Sequence, residues 1–262
     1  MGGIHKKMPV ITHGGVSILN AIPLGLGSSC AIDINVEVDA SYGTQQPGSA
    51  LLDTITDFFR GKSGREVSVI VKSDLPQGGG LKSSSAVAAG AVSALSSLTG
   101  MEVDVPVLAA RLSIEAGVSV TGALDDVAAS LYGGISICDN TKMRILRKVP
   151  FPDGYTFVLL PRGPRREFNP DLLRKRWPAF KSISTLLHTG NYIEAMARNG
   201  LTVSQALGYE TDVLLKAMDL GARASGVSGN GPSLFALVKE DEEGPIVDLF
   251  SMIGSPIVRR PI

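Results

Sequence analysis

A strand that runs into a glycine- and serine-rich loop and then into an apolar helix is the segment that most constrains this chain. Residues 66–73 (EVSVIVKS) alternate and are β-branched, which predicts a strand. Residues 83–98 are rich in Ala, Ser and Leu and predict a helix that ends near Gly100. Between them stands Asp74-Leu75-Pro76-Gln77-Gly78-Gly79-Gly80-Leu81-Lys82-Ser83-Ser84-Ser85-Ala86. A helix N-terminus carries unpaired backbone N–H groups and roughly half a positive charge. Three glycines let the backbone come close to an anion, three hydroxyls can donate, and Lys82 adds a formal charge, so the loop reads as a phosphate cradle. Serines that only cap a buried helix would have the same composition. The loop is not a Walker A motif, because Lys82 follows Leu81 instead of a glycine. Nor is there a dinucleotide fingerprint: Gly25-Leu26-Gly27-Ser28-Ser29-Cys30 lacks the third glycine.

Glycine is in excess throughout, 30 of 262 residues, and twelve of them fall into five clusters: 14–15, 25 with 27, 78–80, 133–134, and 226 with 229 and 231. Each cluster sits at an edge between segments that read as regular structure, where a backbone turns or meets a ligand. Equal numbers of basic and acidic residues, 25 each, argue against a strongly basic nucleic-acid binder or a polybasic membrane protein. Aromatics at 5% argue against a base-stacking platform. Cys30 and Cys138 have no metal spacing and read as reduced, buried thiols of a cytoplasmic protein. No apolar run of about 18 residues occurs, so no membrane span is expected.

Strands are expected at 8–13, 16–22, 31–38, 66–73, 134–139, 143–148, 155–161, 233–238 and 256–260. Helices are expected at 49–60 closed by Gly61, 83–98, 104–116, 122–132, 170–188, 191–206, 210–223 and 243–252. The mixture is α+β. A composition shift around Pro150–Pro152 predicts two domains, 1–152 and 153–262.

The loop resembles the P-x-G-x-G-L-G-S-S-A signature of the GHMP kinase superfamily: Pro76, Gly78, Gly80, Leu81, Ser83 and Ser84 match, while Lys82 replaces a glycine and Ser85 an alanine. The form GLKSSSA is similar to the archaeal shikimate kinases, a branch of that superfamily. Gly15-Val16-Ser17-Ile18-Leu19-Asn20-Ala21-Ile22 with Gly25, Gly27 and Ser28 resembles the branch's opening motif, and Thr121-Gly122-Ala123-Leu124-Asp125-Asp126 its acidic motif. Ser228-Gly229-Asn230-Gly231-Pro232-Ser233 resembles the third glycine motif. The resemblance runs through nearly the whole chain in the right order. It implies an N-terminal domain like ribosomal protein S5 domain 2, a ferredoxin-like C-terminal domain, and ATP- and Mg²⁺-dependent phosphorylation of shikimate to shikimate 3-phosphate. Homoserine or pantoate as acceptor, or a sensor of the same fold without turnover, are the alternatives. ATP and shikimate are the expected partners, with no nucleic acid or membrane, for a monomer or homodimer.

The same resemblance implies the site. Residues 76–86 (Pro76, Gly78, Gly79, Gly80, Leu81, Lys82, Ser83, Ser84, Ser85, Ala86) would cradle the nucleotide phosphates. Asp126, seven residues before Gly133, stands where these kinases carry the catalytic aspartate, with Asp125 as the other candidate. Glu115, eleven residues before Asp126, has the spacing of the mevalonate-kinase glutamate that holds the metal with a loop serine, here Ser83 or Ser84. Mevalonate kinases have a lysine after the first-strand glycine; Val16 and Ser17 stand there instead, and Lys82 would compensate on the phosphate side. An acceptor carboxylate calls for an arginine, expected among Arg162, Arg165 and Arg166, with Thr12, Asn20 and Gly229 as further contacts.

Overall fold

The computed structural model describes residues 8–46, 48–75, 78–163 and 168–262, so Pro76, Arg165 and Arg166 lie outside the described residues. The first half contains β1 (Val10–Leu19), β2 (Leu26–Tyr42), α1 (Ala50–Ser63), β3 (Val67–Ser73), α2 (Ser83–Thr99), α3 (Val105–Glu115), α4 (Leu124–Tyr132), β4 (Ile135–Asp139) and β5 (Arg144–Val149). Its antiparallel sheet runs β1-β2-β4-β5, and β3 pairs with the far end of the 17-residue β2. The second half contains β6 (Tyr155–Leu160), α5 (Asp171–Arg174), α6 (Trp177–His188), α7 (Tyr192–Leu207), α8 (Asp212–Asp219), β7 (Ala224–Val227), β8 (Leu234–Lys239), α9 (Gly244–Ser251) and β9 (Ile257–Arg259). Its antiparallel sheet runs β7-β8-β6-β9, the order of a ferredoxin-like βαββαβ unit.

Two helix starts follow the ordinary capping rules. Ser49 accepts from the Leu52 N–H to begin α1, and Asp104 accepts from the Val107 N–H to begin α3, with Pro106 in its first turn. Helix α2 is apolar on nearly every face because it is wedged against β1 and β2 on one side and α1, α3 and α4 on others. Helix α7 from the second half packs on β1, so the residues Val16, Ile18 and Leu19 are wholly buried.

Several boundaries differ from the sequence reading. Gly14 and Gly15 do not separate two strands; β1 is continuous, with a register shift between His13 and Gly15. Gly64, not Gly61, closes α1 in the left-handed conformation. The segment 170–188 divides after Arg174, because Pro178 lies in the first turn of α6. Strand β7 carries no alternation in its four residues and is held by pairing with β8. Cys30 and Cys138 are buried and free. Among the described residues no helix is long and apolar enough to cross a membrane.

Candidate active site

Helices α2 and α4 begin without a side-chain cap, and both open into one cavity of about 360 Å³. Gly78, Gly80 and residues 82–85 line it from the α2 side, and Ala123, Asp125 and Asp126 from the α4 side. Ser17 and Asn20 line it from β1 and just beyond, and Gly229, Asn230 and Gly231 from the turn after β7.

The loop before α2 is tied down by its carbonyls. The Ser233 N–H donates to Gly79 O (2.9 Å), Ser228 Oγ to Gly80 O (2.8 Å), and the Gly15 N–H to Leu81 O (3.1 Å). Three carbonyl dipoles are thereby bound to protein, while the first turn of α2 has no acidic residue to meet its N–H groups. Gly80 has φ +90°, and a Cβ there would stand 2.3 Å from Ser228 O, so a side chain would break the contact between loop and turn. Ser84 is exposed on this cradle, whereas Ser83 and Ser85 are buried.

Lys82 also takes a left-handed conformation, φ +68°, which costs a non-glycine residue about 1 kcal/mol. That backbone requirement explains the glycine of the signature it departs from. In exchange its ammonium leaves the loop: Nζ lies 2.9 and 3.0 Å from the two oxygens of Asp126 and 2.6 Å from Ser17 Oγ. Lys82 therefore lines the cavity but points at the acid pair and β1, not outward along the glycine-rich loop. It reaches the first-strand region that Val16 and Ser17 leave without a cation.

Asp125 and Asp126 sit side by side in the first turn of α4, buried. Ser29 on β2 reaches both, with Oγ 3.2 Å from Asp125 Oδ2 and in short contact with Asp126 Oδ1. Asn140 Nδ2 donates to Asp125 Oδ1 at 2.8 Å. Burial pushes the Asp125 carboxyl well above the ordinary carboxylate range, and the adjacent charge of Asp126 pushes it further; Lys82 and Asn140 oppose this. The two acids thus have different surroundings: Asp126 is held by the cation, Asp125 by neutral groups.

The other expected residues divide. Asn20 is at the cavity, but its side chain is a strut: Nδ2 donates to Gly229 O (3.2 Å) and Asn230 Oδ1 (2.8 Å), and Oδ1 accepts from the Ile22 N–H. Gly229, φ +60°, donates its N–H to Ser17 Oγ at 3.2 Å. Thr12 is not brought to the cavity; it is wholly buried between β1 and α2, donating to Ala86 O at 2.8 Å. Glu115 is exposed at the end of α3 and is not a lining residue, because the chain turns at Gly117 and presents residues 117–121 instead. Arg162 follows β6 and its N–H donates to Ser233 Oγ (3.0 Å); it too is absent from the lining. Phe168, Ser113 and Ser119 line the cavity without having been singled out in the sequence. Ser29 and Asn140 were also missed; a strand serine facing an acid pair gives no local pattern.

Among the described residues no cluster of three acidic, His or Cys side chains could cage a metal. Mg²⁺ prefers water and phosphate oxygens with one or two protein ligands, so an exposed hydroxyl such as Ser84 suits an ion that arrives with a nucleotide.

The family model of the GHMP kinases N terminal domain matches residues 50–134. A shikimate kinase from Methanothermobacter thermautotrophicus is 31% identical over 276 residues, covering 96% of this chain and 94% of that one. A shikimate kinase from Archaeoglobus fulgidus is 32% identical over 251 residues, covering 93% and 89%. Among solved structures, the Methanococcus jannaschii mevalonate kinase superposes with a TM-score of 0.75 at 14% identity, covering 99% of each chain, which establishes a shared fold.

Proposed function

The chain belongs to the shikimate kinase branch of the GHMP kinases, and on that premise we propose that it transfers the γ-phosphoryl group of ATP to the 3-hydroxyl of shikimate at the cavity between α2 and α4. The observation that carries the reading is the joining of the two helix starts: Lys82, the residue just before the cradle's helix, grips the carboxylate of Asp126 at 2.9 Å.

The phosphates of ATP lie on the α2 N-terminus, where no side-chain acid competes for its N–H groups. Phosphoryl transfer asks mainly for positioning and charge stabilisation, and these are what the site supplies. Asp126 receives the acceptor hydroxyl: the O–H bond breaks towards its carboxylate as the new O–P bond forms and the bond to ADP breaks. Such a positioned acid–base group contributes roughly 10²–10⁴-fold. Lys82 holds Asp126 in place and stands near the phosphates and the transferred group. Ser84 would hold a magnesium ion, which when bound offsets charge on the β- and γ-phosphates.

A coupled ADP-release assay over shikimate, homoserine, mevalonate and pantoate tests this. Turnover is expected with shikimate. Asp126→Asn should lower it about 10³-fold with nucleotide affinity nearly unchanged. No turnover with any acceptor would leave a nucleotide-binding sensor, and full activity in Asp126→Asn would remove the catalytic assignment.

A further inference from the structure

The transfer chemistry needs one carboxylate, yet the site buries two. An ionised carboxylate only accepts hydrogen bonds, and a serine hydroxyl has a single hydrogen to give. Ser29 Oγ nevertheless lies within hydrogen-bonding distance of an oxygen of Asp125 and of an oxygen of Asp126. With both acids ionised, one of those contacts would set lone pair against lone pair in a buried place. A single hydrogen shared between two anions makes two weakened contacts, and both become full hydrogen bonds only when one carboxyl group carries a proton.

The partners decide which one. Both oxygens of Asp126 face the Lys82 ammonium. Asp125 Oδ1 accepts from the neutral Asn140 amide, which leaves Oδ2, facing Ser29, to hold the proton. Strand β2 packs tightly on one side of the acid: a Cβ on Gly27 would stand 2.4 Å from Asp125 Oδ1, so only glycine leaves the carboxyl group its place there. We propose that Asp125 works as a neutral carboxylic acid which, through Ser29, holds Asp126 ionised and aimed at the acceptor, so that Asp125 and Ser29 are positioning residues and not a second base.

The hydrogen bonds then run in one direction, from Asp125 Oδ2–H to Ser29 Oγ and from Ser29 Oγ–H to Asp126 Oδ1, where Lys82 meets them from the other side. One anion balances one cation, and no surplus negative charge sits beside the nucleotide polyphosphate. The charged or titratable groups facing Asp125 are Asp126 on its own helix, Lys82 from the start of α2 and Cys138 from β4. Burial pushes the Cys138 thiol up, so it stays neutral; Cys30 on β2, beside Lys82, is pushed up to about 12 by burial as well. The same burial raises Asp125, in agreement with the hydrogen-bond count.

The inference rests on Asp126 being the acceptor-facing carboxylate, and the test separates the two. Difference infrared spectroscopy of the wild type against Asp125→Asn at neutral pH should show the C=O stretch of a protonated carboxyl group that the variant lacks; this reading needs no substrate. Asparagine mimics a neutral acid, so Asp125→Asn should keep kcat within about 5-fold, whereas Asp125→Ala and Ser29→Ala should lower kcat about 10- to 100-fold with KM changed by less than about 3-fold. Wild-type kcat should fall at alkaline pH as Asp125 loses its proton, and Asp125→Asn should lack that limb. No carboxyl band, or an Asp125→Asn enzyme as inactive as Asp126→Asn, overturns the proposal. Unchanged kcat in a folded Ser29→Ala enzyme, which avoids the risk that Asp125→Ala fails to fold, overturns the positioning role.

Discussion

Helices α2 and α4 start in the same way and are filled in opposite ways. Each follows a non-glycine residue in the left-handed conformation, Lys82 at φ +68° and Ala123 at φ +50°, and neither has the side-chain cap that Ser49 gives α1 or Asp104 gives α3. The first turn of α4 contains its own acids, Asp125 and Asp126; the first turn of α2 contains three serines and no acid. Both N-termini carry the same partial positive charge. One is met by the chain and the other is left for a ligand. Helices α5 to α9 also lack a side-chain cap, so what sets α2 and α4 apart is that both of their starts line the cavity.

Lys82 is where the comparison can be broken most severely, since it belongs to one helix and serves the other. Lys82→Gly and Lys82→Ala should both lower kcat about 10²-fold, because each leaves Asp126 without its cation. Their stabilities should differ, with the glycine variant about 1 kcal/mol more stable in chemical denaturation, as it fits the left-handed backbone. Equal stability would mean that position 82 relaxes when the lysine is gone; unchanged kcat would mean that the ion pair is only structural.

A smaller change makes α2 imitate α4. Ser84→Asp places an acid in the exposed first turn of α2. It should weaken ATP binding by about 10-fold or more in a titration, while the ligand-free protein gains a few tenths of a kcal/mol from the helix dipole. Undiminished affinity would show that the phosphates rest elsewhere.

How much of this was legible in the sequence follows from what lies next to what. The strand, loop and helix around residues 74–86 could be read because the glycines and serines are contiguous and stand between two regular segments. The ferredoxin-like order could not be read locally, since β7 is four residues with no alternation and exists through β8. Thr12 was expected at the site from its nearness to the opening motif, Glu115 from its spacing to Asp126 and Arg162 from the charge of the acceptor, and the structure leaves all three out of the cavity lining. Spacing favoured Asp126 and kept Asp125 as the second candidate, but said nothing of how their surroundings differ. Only partners brought in from β2, β4 and the α2 loop distinguish them: Ser29 lies 96 residues from Asp125, and Lys82 lies 44 from Asp126. A lysine where a signature has glycine was visible as an oddity, but its direction was not.

The finest test of the comparison concerns what each helix start costs. An anion that belongs to α4 must be buried when the chain folds, whereas the phosphates proposed for α2 would arrive later and take no part in the folding equilibrium. Asp125 has its pKa raised by burial and by Asp126. As pH rises above the ordinary carboxylate value, near 4, the unfolded chain releases this proton while the folded chain keeps it. The folded state then binds more protons, so stability falls with rising pH until the raised value is passed. Asp125→Asn removes that term and keeps the hydrogen bonds to Asn140 and Ser29. The stability of the variant relative to the wild type should therefore grow between pH 5 and 7, by about 1 kcal/mol per pH unit at most, in urea denaturation at each pH. The matching control on α2, Ser84→Ala, should show no such slope, because it removes no titratable group. A flat difference for Asp125→Asn would mean that Asp125 is ionised in the folded protein, and the two helix starts would then differ in charge by two units instead of one.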